Sequence, residues 1–389
     1  MALKHVYVDE SLSSGGTGTS VDPYSSLALA LSSEAQNASG GTQFNIKSGA
    51  AIVQATTDRL DQQISANFTP TASSPIIFRG YDSVENDGGT FDWDLNSRTG
   101  YFYDSSSVRY VTFIDGKFRD ANYRITNSNL TSVHFVNLHI DNIDVGSSGP
   151  ALNIGTAGSC IGCHFSNITT SYGYHLQLRN RSKCSGCYFD GTTGFGNGNI
   201  IFGANASQIQ KCIFVCVDDR SGGVGWTYGF RIFTSSGQEA SAAIDECTFL
   251  KLGKTTTGRA ISMDATGNSG TVVRNCLFEG WNTAIRQDSS DARLLQFVGN
   301  SFFDCTTEIA DPSLVISSEN NETLTSSPFE KSGTLSYPNR AQYFAPADVG
   351  NVRTGGYSPH GASGVTRGAI PFAGSGGTGA AYNPHPLLG

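Results

Sequence analysis

The chain has 389 residues, 33 acidic against 25 basic, a formal net charge of −8, and only 15% charged residues beside 46 glycines. Scarce charge argues against long amphipathic helices, and a Ser/Thr/Asn/Gly background with 11% aromatics reads as an all-β protein with many turns. No basic cluster is available to track a phosphate backbone, which argues against a nucleic-acid partner and leaves carbohydrate open.

The opening MALKHVYVDES goes straight into strand-like alternation with no apolar leader, so the expectation is synthesis in a cytoplasm without export. No apolar run approaches the ~18 residues of a membrane-spanning helix, and no membrane partner is expected. Nine cysteines, an odd number, then point to buried thiols rather than a disulfide framework.

Residues 5–9, HVYVD, form the first expected strand. A glycine-rich loop follows, and Asp22-Pro23 reads as an N-cap with proline at the first helical position. The helix PYSSLALALSSEA places Leu27 and Leu31 on one face, suited to covering an open sheet end. Residues 1–40 are therefore assigned to an N-terminal strand and capping helix. Further strand runs are TQFNIKSG, SPIIFRGYD, GGTFDWD and VRYVTFIDGKF.

From there a repeat takes over. Phe118, Ile140, Phe165, Phe189, Phe214, Phe249, Phe278 and Phe302 recur at steps of 22, 25, 24, 25, 35, 29 and 24 residues. A second ladder runs Leu152, Leu176, Ile200, Phe230, Ile261 and Ile285, and its long steps coincide with those of the first. About 24 residues per turn, with short strands and Gly/Ser/Asn turns, is the pattern of a right-handed parallel β-helix, expected over 41–310. Residues 311–389 lose the beat and are expected to form an irregular C-terminal cap and extended tail.

The repeat also decides how the cysteines are read. Cys160-x2-Cys163 and Cys184-x2-Cys187 have the spacing of a structural zinc site. Yet Cys163, Cys187, Cys212, Cys247 and Cys276 fall at one point of successive turns, and the column runs on through three rungs without a CxxC partner. The expectation is a buried structural ladder of thiols, with Cys160 and Cys184 at the edge of the same strand, and no metal or cofactor. GSGGTG at 374–379 matches GxGxxG but lacks a flanking strand and helix, so it is read as an extended segment.

With those residues in place, YVDESLSSGGTGTSVDPYSSLALAL resembles the opening of the pectate-lyase-like and phage-tailspike superfamily of right-handed β-helices. The matching residues are Tyr7, Val8, Asp9, Gly15, Gly16, Gly18, Asp22, Pro23, Tyr24, Ser26 and Leu27. Ile76 to Tyr81 resembles a strand of that superfamily. Residues 348–372 resemble its closing segment, without the acidic residue expected near the end. The resemblance implies the fold and, with no export signal, a component of a tailed-phage virion.

Candidate site residues follow from the register. Asp264 and Asp288 lie 24 residues apart, one turn, and two acids on adjacent rungs could serve glycosidase or lyase chemistry. Arg231 and Arg286 fall on or beside the same column as Arg259. Trp226, Tyr228 and Trp281 are candidate sugar-stacking faces, with packing as the plainer reading. His134, His139, His164 and His175 are read as structural strand residues. The leading expectation is a non-enzymatic virion structural protein, a head decoration, fibre or tail-associated spike. It would be a homo-trimer binding partner subunits or host surface glycans. The competing readings are a tailspike-type hydrolase or lyase and a bacterial carbohydrate-binding adhesin.

Overall fold

A computed structural model describes residues 2–55, 58–85, 87–104, 108–127, 130–146, 149–169, 174–191, 199–203, 207–217, 227–232, 242–253, 258–263, 269–287, 292–336, 338–345, 347, 349, 352 and 368. At 199–203, 217, 227–228, 269, 292–295 and 314 it describes the backbone alone. The chain divides into two compact units, Met1–Leu176 and Gln177–Gly389. Each is built from coils of a right-handed parallel β-helix. No helix among the described residues is long and apolar enough to cross a membrane.

In the first unit, strand Lys4–Val8 pairs in parallel with Thr42–Lys47, which pairs with Ile76–Tyr81, then Val111–Ala121, then Val133–Asp144. The opening strand is thus the first rung. Alternate residues point inward, and parallel register sets like on like about 4.8 Å apart. Phe44, Phe78, Phe113 and Phe135 stack in this way, with ring centroids 5.4, 5.2 and 5.3 Å apart. A second row runs through Phe91–Arg98, the later halves of Val111–Ala121 and Val133–Asp144, and His164–Thr169.

The lid differs from expectation in two ways. Its helix α1 spans Leu27–Ser33, and the N-cap is Ser26, whose Oγ accepts from the Leu29 N–H at 3.1 Å. Asp22 instead organises the glycine-rich loop: its carbonyl accepts from the N–H groups of Thr17 and Gly18, and its carboxylate from the Thr17 hydroxyl. Tyr24 forms a parallel bridge with Val8, which holds residues 23–25 extended and delays the helix. A second helix, α2 (Leu60–Asn67), buries Leu60 and Ile64, and its Asn67 Nδ2 donates to the Leu31 carbonyl of α1.

In the second unit, Phe189, Phe214, Phe249, Phe278 and Phe302 are in direct register. Their rings stack at 5.2, 4.5, 5.1 and 5.1 Å with planes within 11°. The second ladder also forms, with one slip: the backbone partner of Phe230 is Ile201, not Ile200. Phe230, Ile261 and Ile285 align as expected, and Ile309 extends the column. Parallel pairing continues beyond the expected boundary at 310, through Ser318–Glu319 and Glu322–Thr323. Beyond them, Leu324, Phe329, Phe344 and Val352 pack on Tyr188, Ile213, Val215, Leu250 and Leu277 along the outer flank. Of the extended tail expected over 365–389, Gly368 alone is among the described residues.

All nine cysteines are thiols, eight of them buried. Cys163, Cys187, Cys212, Cys247 and Cys276 each occupy a corner between two strands. The residue before each has positive φ: Gly162, Gly186, Lys211, Glu246 and Asn275. Cys160 and Cys184 are not at the edge of the same strand. They sit within separate short strands, Ser159–Ile161 and Lys183–Ser185, in register with Phe135 and Ile209 respectively. Each CxxC therefore turns a corner.

Candidate functional site

The acids proposed from the sequence, Asp264 and Asp288, lie outside the described residues, as does Trp226. Tyr228 lies in strand Thr227–Ile232, where its backbone is in register with Arg259. Arg231 and Arg286 do share a column, with Ser262 between them; Arg259 lies three residues before Ser262 on the same strand, in register with Tyr228 and Thr283, and is buried. Trp281 is not a sugar platform. It is fully buried, and its indole N–H donates to the Phe249 carbonyl at 3.1 Å. Burying a Trp is favourable when its N–H keeps an acceptor, and here it does.

The structure assembles a different polar constellation, on the outer face of the first unit. The sequences FDWDL, GKFRD, LHIDN and CHFSN share one alternation. Phe91, Trp93, Phe118, Ile140 and Phe165 point inward, and the residues between them point out. Register then forms two outward columns: Asp92, Lys117, His139, His164 and Asp94, Arg119, Asp141, Ser166.

These side chains bind one another across coils. Arg119 Nε reaches Asp92 Oδ1 at 2.8 Å and its Nη1 reaches Asp94 Oδ2 at 2.8 Å, with Asp120 also paired to it. The hydrogen bond to Asp92 leads the effects that hold the Arg119 guanidinium above its ordinary pKa. Lys117 Nζ lies 2.8 Å from Asp141 Oδ2, and Asp141 Oδ1 accepts from the Ser166 hydroxyl and from Asn167 Nδ2, each at 2.8 Å. Burial pushes the Asp141 carboxyl up, but the hydrogen bonds from Lys117, Ser166 and Asn167 outweigh it and bring the pKa to about 2.

Ser166 gives its proton to Asp141, so at 2.8 Å it accepts from His139 Nε2, which fixes that tautomer. The His139 and His164 rings stack at 4.4 Å with planes 5° apart. Burial lowers the pKa of His139, against the pull of Asp141, so the imidazole is neutral at neutral pH. The corners beside these columns carry positive φ at Asp115, Asp120, Asn137, Asn142 and Asn167. Asn137 Nδ2 donates to Asp115 Oδ1 at 3.0 Å, and Asn142 donates to Asp120, tying coil to coil.

His139 and His164 are strand residues, as expected, and they also stack as a pair within the outward columns, with His139 hydrogen-bonded to Ser166. The signal that could have found them was the repeated charged or hydrogen-bonding residue on each side of the inward aromatic. His175 is the structural case: it is fully buried, and burial depresses its pKa to about 3.

No protein-family model and no curated protein matches the chain. Among solved structures, pectate lyase Pel9A is similar at 11% identity and a TM-score of 0.53, over 95% of this chain and 96% of that one. That likeness shows the fold alone, the right-handed parallel β-helix. A rhamnogalacturonan lyase matches at 11% identity and a TM-score of 0.49, over 86% and 92% of the two chains. ORF18 of Geobacillus virus E2 matches at 12% identity and a TM-score of 0.30, over 82% of this chain and 60% of that one.

Proposed function

We propose that this chain is a carbohydrate-binding β-helix of a virion spike or fibre, acting by recognition rather than cleavage. The observation that carries the reading is the pair of outward columns on the first unit. They form a fixed array of donors and acceptors repeating about every 4.8 Å along the coil axis, on strands held by the stacked aromatics behind them. Preorganisation of this kind lowers the entropy cost of binding a polymer of repeated hydroxyls.

The network favours binding over proton transfer. Asp141 is held ionised and saturated with donors, and Arg119 is locked between carboxylates, so neither is poised to exchange a proton near neutrality. The same network suggests the polymer. Among the described residues, Asp92, Asp94, Asp120 and Asp141 pair with two cations, Lys117 and Arg119, so the array is net acidic and suits a neutral glycan better than a uronate.

Affinity electrophoresis through gels containing neutral or uronate polysaccharides tests this. A neutral bacterial surface polymer should retard the protein, and Lys117→Ala or Arg119→Ala should weaken binding roughly ten- to a hundredfold, as expected for lost charge-assisted hydrogen bonds, with a smaller loss of up to about tenfold for His139→Ala, whose ring is neutral. Equal retardation of all variants would remove this face from the reading. Reducing-end release that disappears in Asp264→Asn and Asp288→Asn would replace binding with depolymerisation.

A further inference from the structure

The second unit brings three thiols around one point. Cys184 lies within strand Lys183–Ser185, Gly186 turns the corner at φ +64°, and Cys187 follows it. Cys212 holds the same corner one coil on, where the Ile213 N–H donates to the Cys187 carbonyl. Cys184 Sγ and Cys212 Sγ are 3.6 Å apart, and all three sulfurs lie within 4.8 Å of one another. All three residues are buried.

The spacing matches metal–thiolate bonding. A sulfur triangle about 4.0 Å on a side places its centre about 2.3 Å from each corner, the usual metal–sulfur length. The set has one ligand fewer than the four of structural zinc, and a purely sulfur environment selects a soft ion. Charge fixes the number of thiolates. Three thiolates on a divalent ion would leave one uncompensated negative charge in a dry core. A divalent ion on two thiolates, with the third sulfur kept as a neutral thiol, is electrically balanced. Two thiol S–H bonds break, two metal–thiolate bonds form, and two protons leave per ion.

We propose that Cys184, Cys187 and Cys212 form a three-sulfur site for a soft divalent d10 cation. The site is independent of the carbohydrate reading. Because its ligands are buried, the ion is taken up as the coils close, and loading is done during refolding.

The test refolds the full chain anaerobically with one equivalent of mercuric ion as the probe, with zinc as the contrast. The expected result is an anomalous-scattering peak inside the Cys184–Cys187–Cys212 triangle, two protons released per ion, and a raised thermal midpoint. Cys212→Ala should lose the peak and Cys276→Ala should keep it. If Cys212→Ala does not fold, the map of the unsubstituted protein decides. No peak in the triangle, mercury lodged at other cysteines instead, or zinc filling the site equally well overturns the proposal.

Discussion

Phe249 stacks between Phe214 at 4.5 Å and Phe278 at 5.1 Å, and it is fully buried. Phe249→Ala therefore leaves a cavity bounded by two rungs that cannot collapse without breaking their register. It should cost about 3–5 kcal/mol in urea unfolding; a loss below about 1 kcal/mol would mean that the column repacks. His175 makes a pH prediction. Its folded pKa of about 3 lies below the ordinary 6.5, so the fold requires the neutral ring. As pH falls from 6.5 towards 3, the unfolded chain takes up a proton that the fold refuses, and stability drops. The slope is on the order of 1.4 kcal/mol per pH unit. His175→Leu should flatten that slope between pH 7 and pH 5, as read from denaturation midpoints; parallel slopes would show a protonated His175 in the fold. Asp141 acts separately and lower, its contribution being lost as pH falls from 3.8 through about 2. At this scale the inward aromatics were legible because a column repeats one residue type at one period. For Trp281 the plainer packing reading was open to the sequence, but its partner was not, because the Phe249 carbonyl it donates to belongs to another coil.

Elements are set by their corners. Gly186 and Lys211 hold equivalent positions with φ of +64° and +54°. An L-residue pays about 1–2 kcal/mol in this conformation. Gly186→Ala should therefore destabilise by about 1–2 kcal/mol. Lys211→Gly, measured in the same urea titration, should be neutral or stabilising, and a reversed order of the two would show that corner strain does not govern these turns. The strands over 42–47, 76–81, 91–98 and 111–121 could be read from alternation and β-branched or aromatic content. Helix α2 could not. Its N-cap, Arg59, makes no side-chain capping bond, and LDQQISAN is short and polar, so its helicity comes from packing beside α1. The late start of α1 has the same kind of cause, since the Tyr24–Val8 bridge is tertiary.

Over the whole molecule, the flank of the second unit depends on the C-terminal segment. Leu324, Phe329, Phe344 and Val352 cover Ile213, Val215, Leu250 and Leu277. Ending the chain after Thr323 should expose that apolar strip, raising dye binding and self-association in sedimentation. Phe344→Ala should cost about 3 kcal/mol while leaving the stacked core in place. A truncated chain that stays monomeric and dye-silent would mean the flank needs no cover. The sequence by itself determined the coil, because a solenoid repeats its own local pattern and every rung reports the same inward positions. It also held the alternation that points Asp92, Lys117, His139 and Asp141 outward. What only the tertiary structure decided is which of these residues meet. Arg119 with Asp92, Ser166 between His139 and Asp141, and Cys212 beside Cys184 are partners about a coil apart. Those meetings depend on register and corner geometry, where a slip of one residue turns a side chain to the opposite face of the strand.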